Sequence, residues 1–254
     1  METFYITDPG KVRDHNEDSV IIVKNKKHEY LMVVSDGMGG HSSGEVASSL
    51  AITHLAKDFT SLETIGSKTE AVNWLRRHAN EINYKILEYA TEHANGKGMG
   101  ATLVVAILTK DYLLFGNIGD SSGFVLKDEK LHKITKDHTL VGLLVLTGEL
   151  TNEQAKEHPR KNVLMKALGT NASIEMDIFD VDPNVDAILL CSDGLTNMVT
   201  TEQIERVLNS DLDIEEKVIK LVKKSNNRGG TDNISIAYLI KKSGDKYGNK
   251  GSKN

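Results

Sequence analysis

Four aspartates stand at the ends of short apolar segments, where their carboxylates could meet a metal ion. Asp36 and Asp193 follow strand-like runs that end in serine, Asp120 follows the run 115–119, and Asp232 precedes the last apolar segment; three of the four adjoin a glycine. Carboxylates that meet at one sheet edge repel each other unless a cation neutralises them, so the pattern favours a hard-metal site. Because all the ligands are oxygens, Mg²⁺ or Mn²⁺ is favoured over Zn²⁺, which prefers histidine and cysteine. Asp–Gly pairs also form ordinary turns, and spacing alone leaves both interpretations open.

Arg13 is a second candidate for chemistry. It lies in the charged segment 11–18, which has poor helical periodicity. A guanidinium beside an acidic metal site can bind two oxygens of a phosphate group that the metals also hold. The alternative is a surface arginine that pairs with Asp14 or Glu17. The residues alone leave both interpretations of Arg13 open, and the surface pair is favoured without further context.

The elements that must position these residues follow from hydrophobic periodicity and turn signals. Strands are predicted at 3–8, 19–24, 30–35, 101–109, 112–118, 121–126, 174–181, 187–192 and 234–240. Helices are predicted at 44–59, 69–93, 201–208 and 214–225. The strands within 101–126 are expected to form an antiparallel meander, and residues 136–162 to form an inserted subdomain. Runs of strands alternating with helix pairs favour an α+β layered sandwich over a parallel dinucleotide-binding sheet.

Composition narrows the class of protein. The chain has 254 residues, of which 39% are hydrophobic and 26% charged, as in a soluble globular protein. A net charge of -5 is too small to indicate nucleic acid or an anionic membrane as a partner. No apolar run approaches the roughly 20 residues that span a bilayer, and the N-terminal residues lack the pattern of a signal peptide. We therefore expect a cytoplasmic protein without membrane insertion.

Cys191 is the single cysteine, so no intrachain disulfide is possible. It lies inside a predicted strand rather than in a phosphate-binding cysteine loop followed by arginine. This position argues against a phosphatase with a cysteine nucleophile.

Nine segments together resemble the motifs of a known family. They are, in chain order, Gly10-x-x-Arg13-x-x-Asn16-Glu17-Asp18, Ser35-Asp36-Gly37-Met38-Gly39-Gly40-His41-x-x-Gly44-Glu45-x-Ala47-Ser48, Gly98-Met99-Gly100-Ala101-Thr102, Gly119-Asp120-Ser121, Thr135-Lys136-Asp137-His138, His158-Pro159-Arg160-Lys161-Asn162-Val163-Leu164, Ala167-Leu168-Gly169, Leu190-Cys191-Ser192-Asp193-Gly194-Leu195 and Gly230-Thr231-Asp232-Asn233-Ile234. Their order and spacing are similar to those of the bacterial type-2C metal-dependent Ser/Thr protein phosphatases, the PPM family, and within it the PrpC/Stp-like branch. The match runs from about residue 5 to residue 240.

The resemblance implies a fold and a cofactor. The fold is a four-layer α-β-β-α sandwich with two central antiparallel β-sheets. The phosphatase domain would cover residues 1–241, with a flap at about 137–165 that influences substrate choice, and the tail 242–254 would be disordered. The cofactor is a pair of Mn²⁺ or Mg²⁺ ions that share and activate a water for hydrolysis of phosphoserine or phosphothreonine in proteins.

The resemblance also implies metal ligands. Asp36 would bridge both metals, and Gly37 would offer its backbone carbonyl to one of them. Asp193 and Asp232 would hold the other metal, and Asp120 with Asp193 would form a weaker third site.

Other residues would act around the metals. Arg13 would bind the substrate phosphate, Glu17 and Asp18 would order the waters of the metals, and Asn233 would support the site from behind the ligands. Eukaryotic members carry a histidine, proposed as general acid, where this chain has Met38. His41 lies nearby, and its role as the acid is left open.

Three departures from the family pattern concern other positions. Ala101 stands where a threonine is usual, which should be a mild packing change. Ser122 stands where an arginine is usual, which puts in doubt an ion pair near Asp120. The flap segment 142–146 is more apolar than the usual arginine-containing pattern, so substrate preference is the property that transfers least.

Two other functions are compatible with parts of this pattern. A phosphatase-like binding module without activity would have lost metal aspartates, whereas Asp36, Asp193 and Asp232 are all present. A metal-dependent phosphodiesterase is the rival among enzymes. The resemblance further implies phosphorylated proteins as partners, among them a membrane-anchored Ser/Thr kinase and its substrates, and we expect a monomer.

Overall fold

The computed structural model describes residues 1–39 and 43–241. The strands are β1 Glu2–Asp8, β2 Asp18–Lys24, β3 Tyr30–Met38, β4 Gly100–Ala101, β5 Leu103–Leu108, β6 Leu113–Ile118, β7 Ser122–Lys127, β8 Lys130–Lys133, β9 Asp177–Val181, β10 Ala187–Cys191 and β11 Ile234–Ile240. The helices are α1 Ser43–Ser61, α2 Lys68–Glu92, α3 Leu140–Leu146, α4 Asn152–Glu157, α5 Asp193–Thr196, α6 Thr201–Leu208 and α7 Ile214–Asn227, with one 3₁₀ turn at Ala94–Gly96. His41, whose role was left open, and the tail 242–254, which was expected to be disordered, lie outside the described residues.

The strands form two antiparallel sheets. One sheet has the order β1-β11-β10-β7-β8, and the other has the order β2-β3-β5-β6-β9, with β4 paired to β3. We call them the β10 sheet and the β3 sheet. Every strand pair is antiparallel, so successive strands can be joined by short turns.

The side chains of β3 show how the layers stack. Leu31 and Val33 pack into a core that includes residues of α1 and α2, whereas Met32 and Val34 pack into a core shared with β10 and β11. The alternation follows from the two-residue period of a strand that is buried on both faces. On the far side, α6 and α7 cover the β10 sheet through a third core. The layers are thus helices, β3 sheet, β10 sheet and helices, which confirms the predicted four-layer α+β sandwich.

Local signals explain several element boundaries. Helix α2 begins after Ser67, whose side chain accepts a hydrogen bond from the backbone of Glu70 while the Glu70 carboxylate accepts one from the Ser67 backbone. This capping box satisfies two backbone donors at the helix start. Thr151 and Gln154 form the same arrangement at the start of α4.

Three strand predictions need correction. Strands β5 and β6 pair as a hairpin, but β6 pairs next with β9, while β7 pairs with β10 and β8. The expected meander over 101–126 therefore breaks after Ile118, where the chain crosses between sheets through Gly119, which has a φ of +100°. Strands β6 and β7 are each buried on both faces, so their sequences do not indicate which sheet each strand joins.

The other two corrections concern strand ends. Strand β3 extends to Met38 because Gly37 and Met38 pair with Ala101 and Gly100, so Asp36 lies inside a strand rather than after it. Strand β9 begins at Asp177 rather than at residue 174.

The segment between β8 and β9 lies outside both sheets. It contains α3 and α4, and its two ends are joined by hydrogen bonds from Leu140 N to Val163 O and from Met165 N to His138 O, both 2.8 Å. Of the residues of α3, only Val141 is buried. This arrangement suits the predicted insertion at about 137–165, whose role as a flap stays a prediction. None of the described helices is both long and apolar enough to cross a membrane.

Candidate active site

Asp36 and Asp18 lie side by side on the β3 sheet. The antiparallel register of β2 and β3 places their Cα atoms directly opposite each other. The backbone of Asp36 is fixed by Thr102, which accepts a hydrogen bond from Asp36 N at its Oγ1 (2.9 Å) and donates its own N–H to Asp36 O (2.8 Å). Asp18 is buried, and Ser192 donates to its Oδ2 at 2.7 Å. Thr102 and Ser192 therefore hold the pair from both sheets.

Asp193 and Asp232 come from two neighbouring strands of the β10 sheet. Asp193 is the first residue of α5, directly after β10, and Asp232 precedes β11. Gly194 lies so close to the backbone oxygen of Asn233 that a Cβ atom there would be 2.0 Å from it. Only glycine permits this approach of the two chain segments, which brings the two aspartates together.

The described residues of the predicted site converge on one cavity of about 520 Å³. Its lining includes Arg13, Glu17, Asp36, Gly37, Asp120, Asp193, Asp232 and Asn233. Asp18 lies beneath this cavity, paired with Asp36. His41 is the one predicted site residue outside the described part of the chain. The cavity lies where the ends of the two sheets meet, so each sheet contributes carboxylates.

Burial and mutual repulsion raise the pKa values of Asp18, Asp36, Asp120 and Asp193 at this site. Burial raises the pKa of Asp36 well above its usual range, and the negative charges of Asp18, Asp193, Asp120 and Asp232 add to the effect. Burial also raises the pKa of Asp18 to about 7, that of Asp120 to about 7 and that of Asp193 to about 6. Repulsion between these carboxylates destabilises the cluster when they are ionised, and a bound cation would remove this repulsion.

The site fits a hard divalent cation on the chemistry of its donors. Its acidic donors are carboxylate oxygens, and Oδ1 of Asp18 and Oδ1 of Asp193 are buried without a hydrogen-bond partner among the described residues. A buried carboxylate oxygen without a partner costs free energy unless another group binds it. Oxygen ligands in this number are what Mg²⁺ and Mn²⁺ require.

Arg13 is paired, but not with the neighbours that the sequence suggested. Its Nη2 lies 2.8 Å from Oδ2 of Asp232, and 51% of its side chain is exposed. Partial burial lowers the Arg13 pKa, but the charge and hydrogen bond of Asp232, together with the charges of Asp36 and Glu17, outweigh it and raise the pKa above its usual value. The guanidinium thus stands at the rim of the cavity beside one of the aspartates, where it can reach an anion in the cavity.

Asn233 fixes the loop that carries Arg13. Its Oδ1 accepts a hydrogen bond from Glu17 N at 2.9 Å, and its Nδ2 donates to Pro9 O at 3.0 Å and to His15 O at 2.9 Å. Both the oxygen and the nitrogen of the Asn233 amide are therefore hydrogen-bonded, to residues before and after Arg13 in the chain. An aspartate could not replace these donors.

Two groups of contributing residues escaped the sequence reasoning. Small hydroxyl residues, Ser192, Thr102 and Ser121, form buried hydrogen bonds behind the aspartates, including one of 2.7 Å between Thr102 and Ser121. His138 accepts a hydrogen bond from Gly119 N at 3.0 Å and donates its own backbone N–H to Gly119 O at 2.9 Å, which fixes the turn before Asp120. The only sequence signal for these residues is their position inside the motifs quoted above.

Ser122 replaces the arginine that the motif usually has. It is buried in β7, and its Oγ has no hydrogen-bond partner among the described residues. None of the ion pairs among the described residues involves Asp120, which agrees with the expectation that Ser122 in place of arginine removes one there.

Comparison with known proteins gives a consistent set of relatives. A family model described as Protein phosphatase 2C matches residues 11–232. The chain is 41% identical to the Serine/threonine phosphatase stp of Listeria welshimeri, over 94% of this chain and 95% of that protein. It is 35% identical to Protein phosphatase PhpP of Streptococcus pneumoniae, over 94% and 97%. The solved structure of Serine/threonine phosphatase Stp1 from Staphylococcus aureus is similar with a TM-score of 0.90 and 36% identity, covering 94% of each chain.

Proposed function

Because the chain belongs to the protein phosphatase 2C family and is a bacterial serine/threonine protein phosphatase, we propose that its acidic cavity holds two Mn²⁺ or Mg²⁺ ions for this hydrolysis. The substrates are phosphoserine and phosphothreonine in proteins. Asp36 and the backbone carbonyl of Gly37 would hold one ion, and Asp36, Asp193 and Asp232 the other. Asp120 with Asp193 would form a weaker third site.

One observation carries this proposal. Buried carboxylates from both sheets meet in one cavity, their pKa values rise together, and two of their oxygens have no partner among the described residues. Ordinary Asp–Gly turns on a protein surface would leave each carboxylate solvated. This convergence therefore favours the metal interpretation over the turn interpretation.

The metal ions, when bound, neutralise these carboxylates and lower the pKa of a water that attacks the phosphorus atom. The chain's own residues bind and orient the phosphoester. Arg13 contributes two parallel N–H donors to phosphate oxygens, and it leaves Asp232 to do so. The same guanidinium stabilises negative charge that develops on the phosphate during the reaction.

The residues behind the cavity hold this geometry. Asn233 keeps the loop 9–17 in place through three hydrogen bonds, so that Arg13 and Glu17 face the cavity. Glu17 and Asp18 would accept hydrogen bonds from water molecules bound to the ions. Burial raises the pKa of Glu17, whereas a backbone hydrogen bond from Gly44 opposes the rise.

Cys191 has no part in this chemistry. Its side chain is fully buried in β10, and burial raises the pKa of its thiol to about 12. A thiol in this state is neither ionised nor accessible to a phosphate.

The proposal is tested with the purified full chain and three substrates. We expect Mn²⁺-dependent release of phosphate from a phosphothreonine peptide and from p-nitrophenyl phosphate, and much slower release from the bis ester. Asp193→Ala should retain the fold but lose turnover, whereas Asp211→Asn, a change at an exposed aspartate outside the cavity, should retain both. If the peptide releases no phosphate with Mn²⁺, the chain is a binding module; if the bis ester is preferred, it is a phosphodiesterase.

We also propose that a membrane-anchored Ser/Thr kinase and its substrates are the partners of this enzyme, which acts as a cytoplasmic monomer. Curated relatives named as Ser/Thr phosphatases support phosphorylated proteins as the substrate class. A comparison of phosphoproteins in cells with and without the enzyme tests the partner. Phosphorylation of the kinase and its substrates should rise without the enzyme, and unchanged phosphorylation would contradict the proposal.

A further inference from the structure

A cluster of metal-type ligands lies between α1 and α2, apart from the acidic cavity. His54 belongs to α1, and His78 and Glu81 are one turn apart on α2. None of the three lines the acidic cavity. Residues three apart on a helix share one face, so His78 and Glu81 present their side chains together to the facing helix.

The three ligand atoms form a nearly regular triangle. His54 Nε2 lies 2.9 Å from His78 Nδ1 and 3.1 Å from Glu81 Oε2, and the third side, from His78 Nδ1 to Glu81 Oε2, is 3.2 Å. Nitrogen and oxygen ligands about 2.0–2.1 Å from a zinc ion lie about 2.8–3.4 Å apart, for octahedral to tetrahedral angles. The triangle therefore has the size that one ion of this kind requires, without movement of either helix.

The surroundings of His78 are those of a metal ligand. Its other nitrogen, Nε2, lies 3.1 Å from Oδ2 of Asp58, and that oxygen accepts a hydrogen bond from Trp74 Nε1 at 2.8 Å. A carboxylate behind a histidine fixes the ring orientation and leaves the first nitrogen available to a metal. The ring is 3% exposed, and burial lowers the pKa of His78, which favours the neutral form that binds metals.

Two cations limit the affinity of the cluster. Lys85 Nζ lies 2.8 Å from His54 Nδ1, and Arg77 Nη2 lies 3.1 Å from His78 Nε2. Both are exposed side chains with flexible stems, so they can move into solvent when a cation arrives. Glu81 is 43% exposed, which gives an ion a path to the cluster and leaves a coordination position open to water.

We propose that His54, His78 and Glu81 form a site for a borderline transition-metal ion of the Zn²⁺ class, which joins α1 to α2. Two imidazoles and one carboxylate suit such an ion and not the Mg²⁺ or Mn²⁺ expected at the all-oxygen cavity. The ion replaces the protons that the three groups otherwise share. The site is independent of the proposed catalytic function and adds a structural clip to the outer helical layer.

The test uses Co²⁺ as a visible probe of the full-length protein in excess Mg²⁺, which occupies the acidic cavity. We expect one equivalent of Co²⁺ to produce a visible d–d absorption band that Zn²⁺ removes. His54→Ala and Glu81→Gln should each weaken Co²⁺ binding at least about tenfold. Lys85→Met should have the opposite effect and tighten binding, because it removes a positive charge 2.8 Å from His54.

Matched changes on the same helix serve as controls. Glu88→Gln changes an acid of α2, and His93→Ala changes the histidine at its C-terminal cap. Both residues lie outside the triangle, so both variants should bind Co²⁺ with the wild-type affinity. A second readout uses no Co²⁺. Free Zn²⁺ at about a hundred times its Kd should raise the Tm of the wild type by about 5 °C and that of His54→Ala by much less.

The proposal fails under either of two results. One is the absence of any band, which would mean that the cluster is held by protons alone. The other is a band that survives His54→Ala and Glu81→Gln but is lost in Asp193→Asn, which would place the Co²⁺ in the acidic cavity. Because Glu81 is exposed, Glu81→Gln should fold normally and keeps the test decisive even if His54→Ala unfolds.

Discussion

Asp193→Asn exchanges a buried carboxylate of the acidic cavity for a neutral side chain of the same shape. In the absence of metal, the ionised carboxylate of Asp193 is penalised by burial and repelled by Asp232. The asparagine avoids this penalty and can still accept the hydrogen bond from Asn197 Nδ2, which is 2.9 Å long in the wild type. We therefore expect the variant to be more stable than the wild type in EDTA and to gain less stability from Mn²⁺.

The magnitude follows from the pKa of Asp193. Its value rises from 3.8 to about 6, and each unit corresponds to about 1.4 kcal/mol. A folded-state pKa above the unfolded value means that the folded protein binds more protons between these values, so the free energy of unfolding falls as the pH rises through this window. At pH 8 the full penalty is present, at most about 3 kcal/mol. Because neighbouring carboxylates share the protons, we expect a gain of about 1–3 kcal/mol for the variant.

The assay is thermal unfolding at pH 8 and at pH 4, with EDTA and with saturating Mn²⁺. For a chain of this size the gain corresponds to a Tm increase of about 2–6 °C in EDTA at pH 8, and it should largely vanish at pH 4. With Mn²⁺ the order should invert, because the metal stabilises the form that binds it. Asp211→Asn is the control for loss of an exposed carboxylate. A variant that is less stable than the wild type in EDTA at pH 8 would refute the reasoning, since it would show that Asp193 is already neutralised by other groups.

Three further changes probe the rest of the site. Arg13→Lys keeps the charge but loses the two parallel donors, so KM for a phosphothreonine peptide should rise roughly tenfold or more. The Tm should stay unchanged because the ion pair with Asp232 is exposed. An unchanged KM would contradict phosphate binding by Arg13. Asn233→Ala removes three hydrogen bonds and should lower the free energy of unfolding in urea by about 2–4 kcal/mol, whereas a loss below 1 kcal/mol would argue against the loop-fixing role. Iodoacetamide should leave native activity intact because burial raises the pKa of the Cys191 thiol to about 12; rapid inactivation with modification at Cys191 would oppose this.

Sequence reasoning is most informative for residues whose surroundings are formed by their neighbours in the chain. Asp193 follows an apolar run and adjoins a glycine, and both features are visible in a few residues. The structure places it beside Asp36, Asp120 and Asp232 in one cavity, as the resemblance implied. The assignment of each aspartate to a particular metal stays a prediction, because positions alone do not identify a ligand.

The errors arose where two distant segments had to be matched. Nothing near Arg13 in the chain indicates that its partner is Asp232, 219 residues away. Likewise, β6 and β7 are adjacent in sequence and similar in composition, yet they belong to different sheets. The buried hydroxyl of Ser192, which joins Asp18 to the backbone of Ser235, had no sequence signal beyond its place in a motif.

The sequence by itself determined α1, α2, α6 and α7, most strands and the candidate ligands, because periodicity, caps and turns act over a few residues. The order of the layers was implied by the family resemblance of its motifs. Only the tertiary structure decided that Asp18 lies opposite Asp36, that both sheets deliver carboxylates to one cavity, and that His54 meets His78 and Glu81 across two helices. These pairings depend on strand register and on which faces pack together. Both are fixed by the burial of whole surfaces, a property that no single segment of the chain contains.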